Sequence, residues 1–134
     1  MIVINAENCV AGRLASIVAK RLLNGEEIVI VNAEKAIING RPEAVIEFFE
    51  QKIKRGDPYH GPFYPKTPER ILRRIVRGML PFHKPRGREA YRRLKVYRGV
   101  PDEFKNENKE TPKYALSKSQ GKFIYLGDVT KRFE

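Results

Sequence analysis

Four β-branched residues in a row, Ile28-Val29-Ile30-Val31, constrain this chain more than any other feature, because none of them suits contact with water. Successive side chains of a strand point to opposite faces, so an unbroken apolar run describes a strand covered on both sides, as in a parallel sheet. Upstream lies a shorter run of the same kind, Ile2-Val3-Ile4. Between the two, Leu14, Ile17, Val18 and Leu22 share one side of a helical pattern that Asn24-Gly25 stops. Strand, helix, strand in that order is a parallel α/β unit. The 134 residues are expected to form a single domain, 1–134, burying about two thirds of the surface of the unfolded chain.

The rest of the chain reads as shorter elements. Ala36 to Ile38 is a third strand ended by Asn39-Gly40, and its link to the second strand is too short for a helical crossover, which leaves its direction open. Pro42 and Glu43 open a helix running to about Arg55, with Val45, Phe48, Phe49 and Ile53 inward. Residues 57–68 hold four prolines and read as a loop. Thr67 then suits an N-cap and Pro68 a first helical position, with Gly78 closing the helix. From Leu80 to Gly87 two prolines predict an extended loop, followed by a short helix over Arg88 to Arg93 and a fourth strand over Leu94 to Tyr97. Residues 99–122 read as a polar surface excursion, and Phe123 to Leu126 as an apolar run packed at an edge.

Charge is distributed unevenly. The formal sum is −2 over residues 1–51, +12 over 52–98 and +1 over 99–134, so one segment carries the whole net charge of +11. Ten of its fifteen cations are arginines, whose planar fork fits two oxygens of a phosphate. In the helix that Pro68 opens, Arg70, Arg73, Arg74 and Arg77 fall on one face while Ile71, Leu72, Ile75, Val76 and Met79 fill the other. Like charges on neighbouring turns repel by a few tenths of a kcal/mol per pair, roughly, which an anionic partner removes. The alternative is a solvated helix face, which a mixture of Lys and Glu would serve better.

Other chemistries find less support. The loop before the first helix has one glycine, Gly12, where a dinucleotide or phosphate-binding loop needs more, although Arg13 is placed to reach a phosphate. Cys9, His60 and His83 are the soft or imidazole ligands, too widely separated for a zinc pattern, so neither metal nor cofactor is expected. Ser16, Ser117 and Ser119 lie in no nucleophile motif, so no catalysis is expected. No apolar run is long enough to span a bilayer, and the single cysteine and the start of the chain fit a cytoplasmic protein. A membrane-surface role is disfavoured because the apolar face opposite the arginines is needed for the core. An enzyme acting on RNA or using a nucleotide is the rival reading, separable by nucleotide soaks.

Three stretches carry a resemblance: GRLASIVAKRLLNG at 12–25, VIVNAEKAIINGR at 29–41 and RGMLPFHKPRGREAYRRLKVYRG at 77–99. Together they resemble the universal large-subunit ribosomal protein thirteen family in its compact, archaeal form. The resemblance implies a three-layer α/β/α domain with a small, mostly parallel four-stranded sheet. It also implies a structural place on the large subunit, contact with its rRNA and with neighbouring ribosomal proteins, early entry into assembly, and no small-molecule substrate. Residues 100–122 match least well.

On this reading Arg70, Arg73, Arg74 and Arg77 clamp phosphates from a rigid helix. Lys84, Arg86 and Arg88 follow the RNA backbone from the extended loop, and Arg92, Arg93, Lys95 and Arg98 widen the surface. Lys52, Lys54, Arg55 and Lys66 are second-rank contacts, and His60 and His83 sit beside aromatic residues where their rings can stack on bases.

Overall fold

The computed structural model describes residues 1–54, 65–116, 121–131 and 133. Strand β2 (Ile28–Val31) lies inside a four-stranded sheet, flanked by β1 (Ile2–Asn5) and β4 (Leu94–Val96), and all four of its residues are buried. The order is β4-β2-β1-β5, where β5 is Lys109–Glu110, and every pairing in it is parallel. In register, Ile4 stands beside Ile30, and Ile28 beside Leu94, so these side chains share one face.

That face meets the helices. From α1 (Ala11–Leu23) come Leu14, Ala15, Val18 and Leu22, from α2 (Pro42–Lys54) Val45 and Phe49, and from α3 (Pro68–Gly78) Ile71, Leu72 and Val76. The other face shows Val3, Val29 and Val31 and is covered by Phe104, Tyr97 and Val100. The three layers are therefore unequal: helices lie on one side of the sheet, and on the other, among the described residues, a single 3-10 turn, Asp102–Phe104. The expected stop of α1 takes a definite form. The N–H of Gly25 reaches the Leu22 carbonyl at 3.0 Å and that of Glu26 reaches Arg21 at 3.2 Å, with Gly25 at φ 96°, as a left-handed helix closure requires.

The third strand, whose direction the sequence leaves open, forms where expected and runs antiparallel to its partner. Strand β3 (Ile37–Asn39) lies outside the parallel sheet and pairs antiparallel with β6 (Phe123–Tyr125), Ile38 opposite Ile124. The apolar run near the C-terminus thus makes a separate two-stranded ribbon with β3, and α5 (Leu126–Thr130) follows it directly. The fourth place in the main sheet goes instead to β5, inside the polar stretch 99–122. A two-residue charged strand is a safe edge, since it offers little backbone for another chain to join. An ion pair of Arg21 with Glu110 at 2.9 Å fastens it to the end of α1.

Candidate nucleic-acid interface

Helix α3 begins with Pro68 in its first turn after Thr67 in extended conformation, but the Thr67 hydroxyl makes no capping bond. Its inner side is fully buried at Ile71, Leu72 and Val76, and Ile75 is half-buried. Met79 departs from expectation: the helix has ended by that point, and the side chain is 44% exposed. On the outer side Arg70, Arg73 and Arg74 are exposed and Arg77 is half-buried.

Two of these arginines rest on rings. The Arg73 guanidinium lies 4.4 Å from the centre of Tyr91, and that of Arg77 lies 4.1 Å from the centre of Phe82. The rings meet edge to face, 5.5 Å apart. Each such contact contributes about 0.5–1 kcal/mol at an exposed site and narrows the arginine's rotamers, so the two forks are aimed before a ligand arrives. Beside them a groove of about 520 Å³ is lined by Lys66, Thr67, Arg70, Arg73, Arg74 and Tyr91. A second, of about 330 Å³, runs from Arg73 along Leu94 to Tyr97, with Lys95 at its wall.

The segment after α3 is more ordered than the prolines predict. The expected extended loop is instead a turn, closed by the Lys84 N–H donating to the Pro81 carbonyl at 2.9 Å, and helix α4 then spans Pro85–Arg92, so Arg86 and Arg88 project from a helix. Pro85 sits in the first helical turn, where a missing N–H costs nothing. Gly87 explains the tight entry. A Cβ there would lie 2.1 Å from the Pro81 carbonyl oxygen, so only glycine lets α4 fold back on the turn before it. Lys84, Arg86, Arg88, Arg92 and His83 are all exposed.

The remaining residues divide. Lys95 is exposed on the edge strand β4, and Lys66 is exposed at the groove. Arg98 is exposed but has its Nε 3.4 Å from Glu69. Arg93 turns inward and donates to the Leu22 carbonyl at 2.6 Å, helping to close the C-terminus of α1. Lys52 lies over the Phe48 ring at 4.6 Å, on α2, and Lys54 is exposed at the end of that helix. Arg55 and His60 lie outside the described residues. Among the described residues no carboxylate pairs with Arg70, Arg73, Arg74 or Arg77, which leaves the arginine row without acid partners.

Sequence reasoning missed Tyr91, because nothing local marks a tyrosine on one helix as the bed for an arginine on another. It also missed Arg13 over Tyr114, at 5.7 Å. The carboxyl ends of β1 and β2, where α/β proteins often hold ligands, are filled from within. Asn32 donates to Asn5 at 3.0 Å, and Glu34 accepts the Gly99 N–H at 2.7 Å. Burial pushes the Cys9 thiol up to about 11, so it stays protonated and unreactive near neutral pH. Among the described residues no His, Cys, Asp and Glu cluster could hold a metal, and no helix is long and apolar enough to cross a membrane.

The family described as Ribosomal protein L13 matches residues 1–103. The chain is similar to the large ribosomal subunit protein uL13 of Methanopyrus kandleri, with 55% identity over 113 residues, 84% of this chain and 71% of that one. The protein of the same name from Archaeoglobus fulgidus is 48% identical over 132 residues, 96% of this chain and 85% of its own. That from Methanosarcina barkeri is 48% identical over 135 residues, 98% and 96% of the two chains. With a family match over most of its length and relatives aligned nearly end to end, the chain belongs to the ribosomal protein L13 family.

Proposed function

We propose that this chain holds large-subunit rRNA by the surface that α3, α4 and β4 present, and so supports early assembly of the subunit. As a family member it is a structural, non-enzymatic constituent of the large ribosomal subunit in the cytoplasm. Arg70, Arg73, Arg74 and Arg77 carry the binding. The observation behind this is the row without acid partners, exposed at Arg70, Arg73 and Arg74, in which Arg73 and Arg77 are pre-aimed by Tyr91 and Phe82. Lys66, Lys84, Arg86, Arg88, Arg92 and Lys95 extend the surface, while Arg93 and Arg98 hold the scaffold that displays it. Because Tyr91 and Phe82 each have a face covered by an arginine, they back phosphate contacts rather than stack on bases. Binding of this kind follows the backbone and its shape.

The test replaces Arg70, Arg73, Arg74 and Arg77 together by Gln and titrates salt against a fragment of the cognate rRNA. Each lost phosphate contact makes the slope of log affinity against log salt shallower by about 0.7–0.9, hence by roughly 3 for all four. A variant that keeps the parental slope would show the row to be a solvated face.

A further inference from the structure

On α3, Ile75 lies about 140° round the helix from Arg70. It looks into an apolar cleft of about 470 Å³ on the side away from the arginine row. The start of α1 at Val10 and Ala11, Ile38 of β3, and Val45 and Phe48 of α2 form the walls. Phe48 stands at the rim, 53% exposed, although the spacing of α2 would turn it inward. Along α2, Glu43, Glu47 and Glu50 recur at i, i+4 and i+7 and make one stripe beside the Ala44 and Phe48 side of the cleft. Glu43 and Glu47 are exposed, and none of the three is in an ion pair among the described residues.

An exposed ring beside three unpaired carboxylates is a poor surface for RNA. Its apolar part offers phosphates nothing, and its charges repel them. The same surface suits a polypeptide that brings an apolar side chain between cations. We infer that the cleft receives an apolar side chain from a basic segment of a neighbouring protein, whose Lys or Arg residues pair with Glu43 and Glu47. The partner belongs to the same subunit, which rests on the proposed place of this chain there. Lys52, drawn over Phe48, forms the far end of the site and leaves the acidic end for the partner's charges. The chain thus faces RNA with one side of its helical layer and protein with the other.

The test places a photo-crosslinking benzoylphenylalanine at Ala44, an exposed position lining the cleft, in chains assembled into large subunits. The expected product is one protein adduct whose cross-linked peptide has an apolar residue flanked by Lys or Arg. An adduct to rRNA, to this chain itself or to a second copy of it, or no adduct, would overturn the inference. Independently, Phe48→Asp and the pair Glu43→Lys, Glu47→Lys compete with the parent for places in subunits. Each should be under-represented by about tenfold. Binding of the free variants to the rRNA fragment should be unchanged for Phe48→Asp and equal or tighter for the Lys pair. Equal incorporation of both with the parent would sink the idea. Failure of the rRNA reading shows elsewhere, in an arginine variant that keeps its salt slope.

Discussion

Helices α2 and α3 are built alike on their inner sides, yet they offer opposite charges to the outside. Each carries a proline in its first turn and packs into the same core, α2 through Val45 and Phe49 and α3 through Ile71, Leu72 and Val76. Outward, α2 shows Glu43 and Glu47 with Phe48, and α3 shows Arg70, Arg73 and Arg74. The difference in packing matters as much as the difference in sign. Three side chains of α3 are wholly enclosed and two of its arginines are braced by rings from α4 and the turn before it, so its charges stand on a fixed base. The most exposed ring of α2, Phe48, leans on its own helix, edge to face with Phe49 at 5.4 Å and beneath the Lys52 side chain. One helix is a rigid platform for a polyanion, and the other keeps part of its apolar surface for a partner.

The strongest way to break this contrast is a pair of truncations. Ile71→Ala should cost about 2–5 kcal/mol, because a fully enclosed side chain leaves a cavity. Phe48→Ala should cost less, about 1 kcal/mol, because the ring is already half in water and gives up only its contacts with Phe49 and Lys52. Urea melts of both decide the matter, and equal costs would mean that α2 is held as firmly as α3. A smaller effect tests the bracing turn. Gly→Ala within a helix ordinarily gains up to about 1 kcal/mol, which is the outcome expected at Gly78, where an added methyl meets open space. At Gly87 the same change drives a methyl into the Pro81 carbonyl, so the sign should reverse to a loss of about 1–3 kcal/mol. Thermal unfolding of the two variants side by side measures it, and a gain at both positions would refute the close approach. The smallest change is Tyr91→Leu, which removes the bed under Arg73 without removing charge. Stability should fall by about 0.5–1 kcal/mol. RNA affinity should weaken while the salt slope is unchanged, since the number of phosphate contacts is the same. A shallower slope would mean that Arg73 needs its ring to reach the RNA at all.

Signals that depend on one segment alone were legible in the sequence. The Ile28–Val31 run needs cover on both faces wherever it lies, Asn24-Gly25 ends a helix by its own backbone freedom, and the arginine row follows from helical spacing. What escaped depends on distant partners. Strand β3 finds its mate 86 residues later at Phe123–Tyr125, and β5 joins the sheet through backbone hydrogen bonds that Lys109 and Glu110 do not advertise. Pro85 was ambiguous because proline both extends a loop and starts a helix, and only Gly87 meeting Pro81 settles which. Within the site the charges were readable and their supports were not: Tyr91 under Arg73, Phe82 under Arg77, and Arg93 spent on the end of α1.

The edge pairing of Val3 with Lys109 also sets a clock. Strand β1 is made before the other strands of the sheet, and its outer neighbour arrives more than a hundred residues later. At 5–20 residues per second that interval is on the order of 5–20 s. Within it α1 and β2 are made first, and the cationic stretch 52–98 is then added while the sheet is still open at one side. Parallel pairing across so long a separation is slow to form in any case. A nascent chain of this design therefore meets the anions of the cell before its fold is closed, and its safe delivery depends on what occupies the basic segment during those seconds.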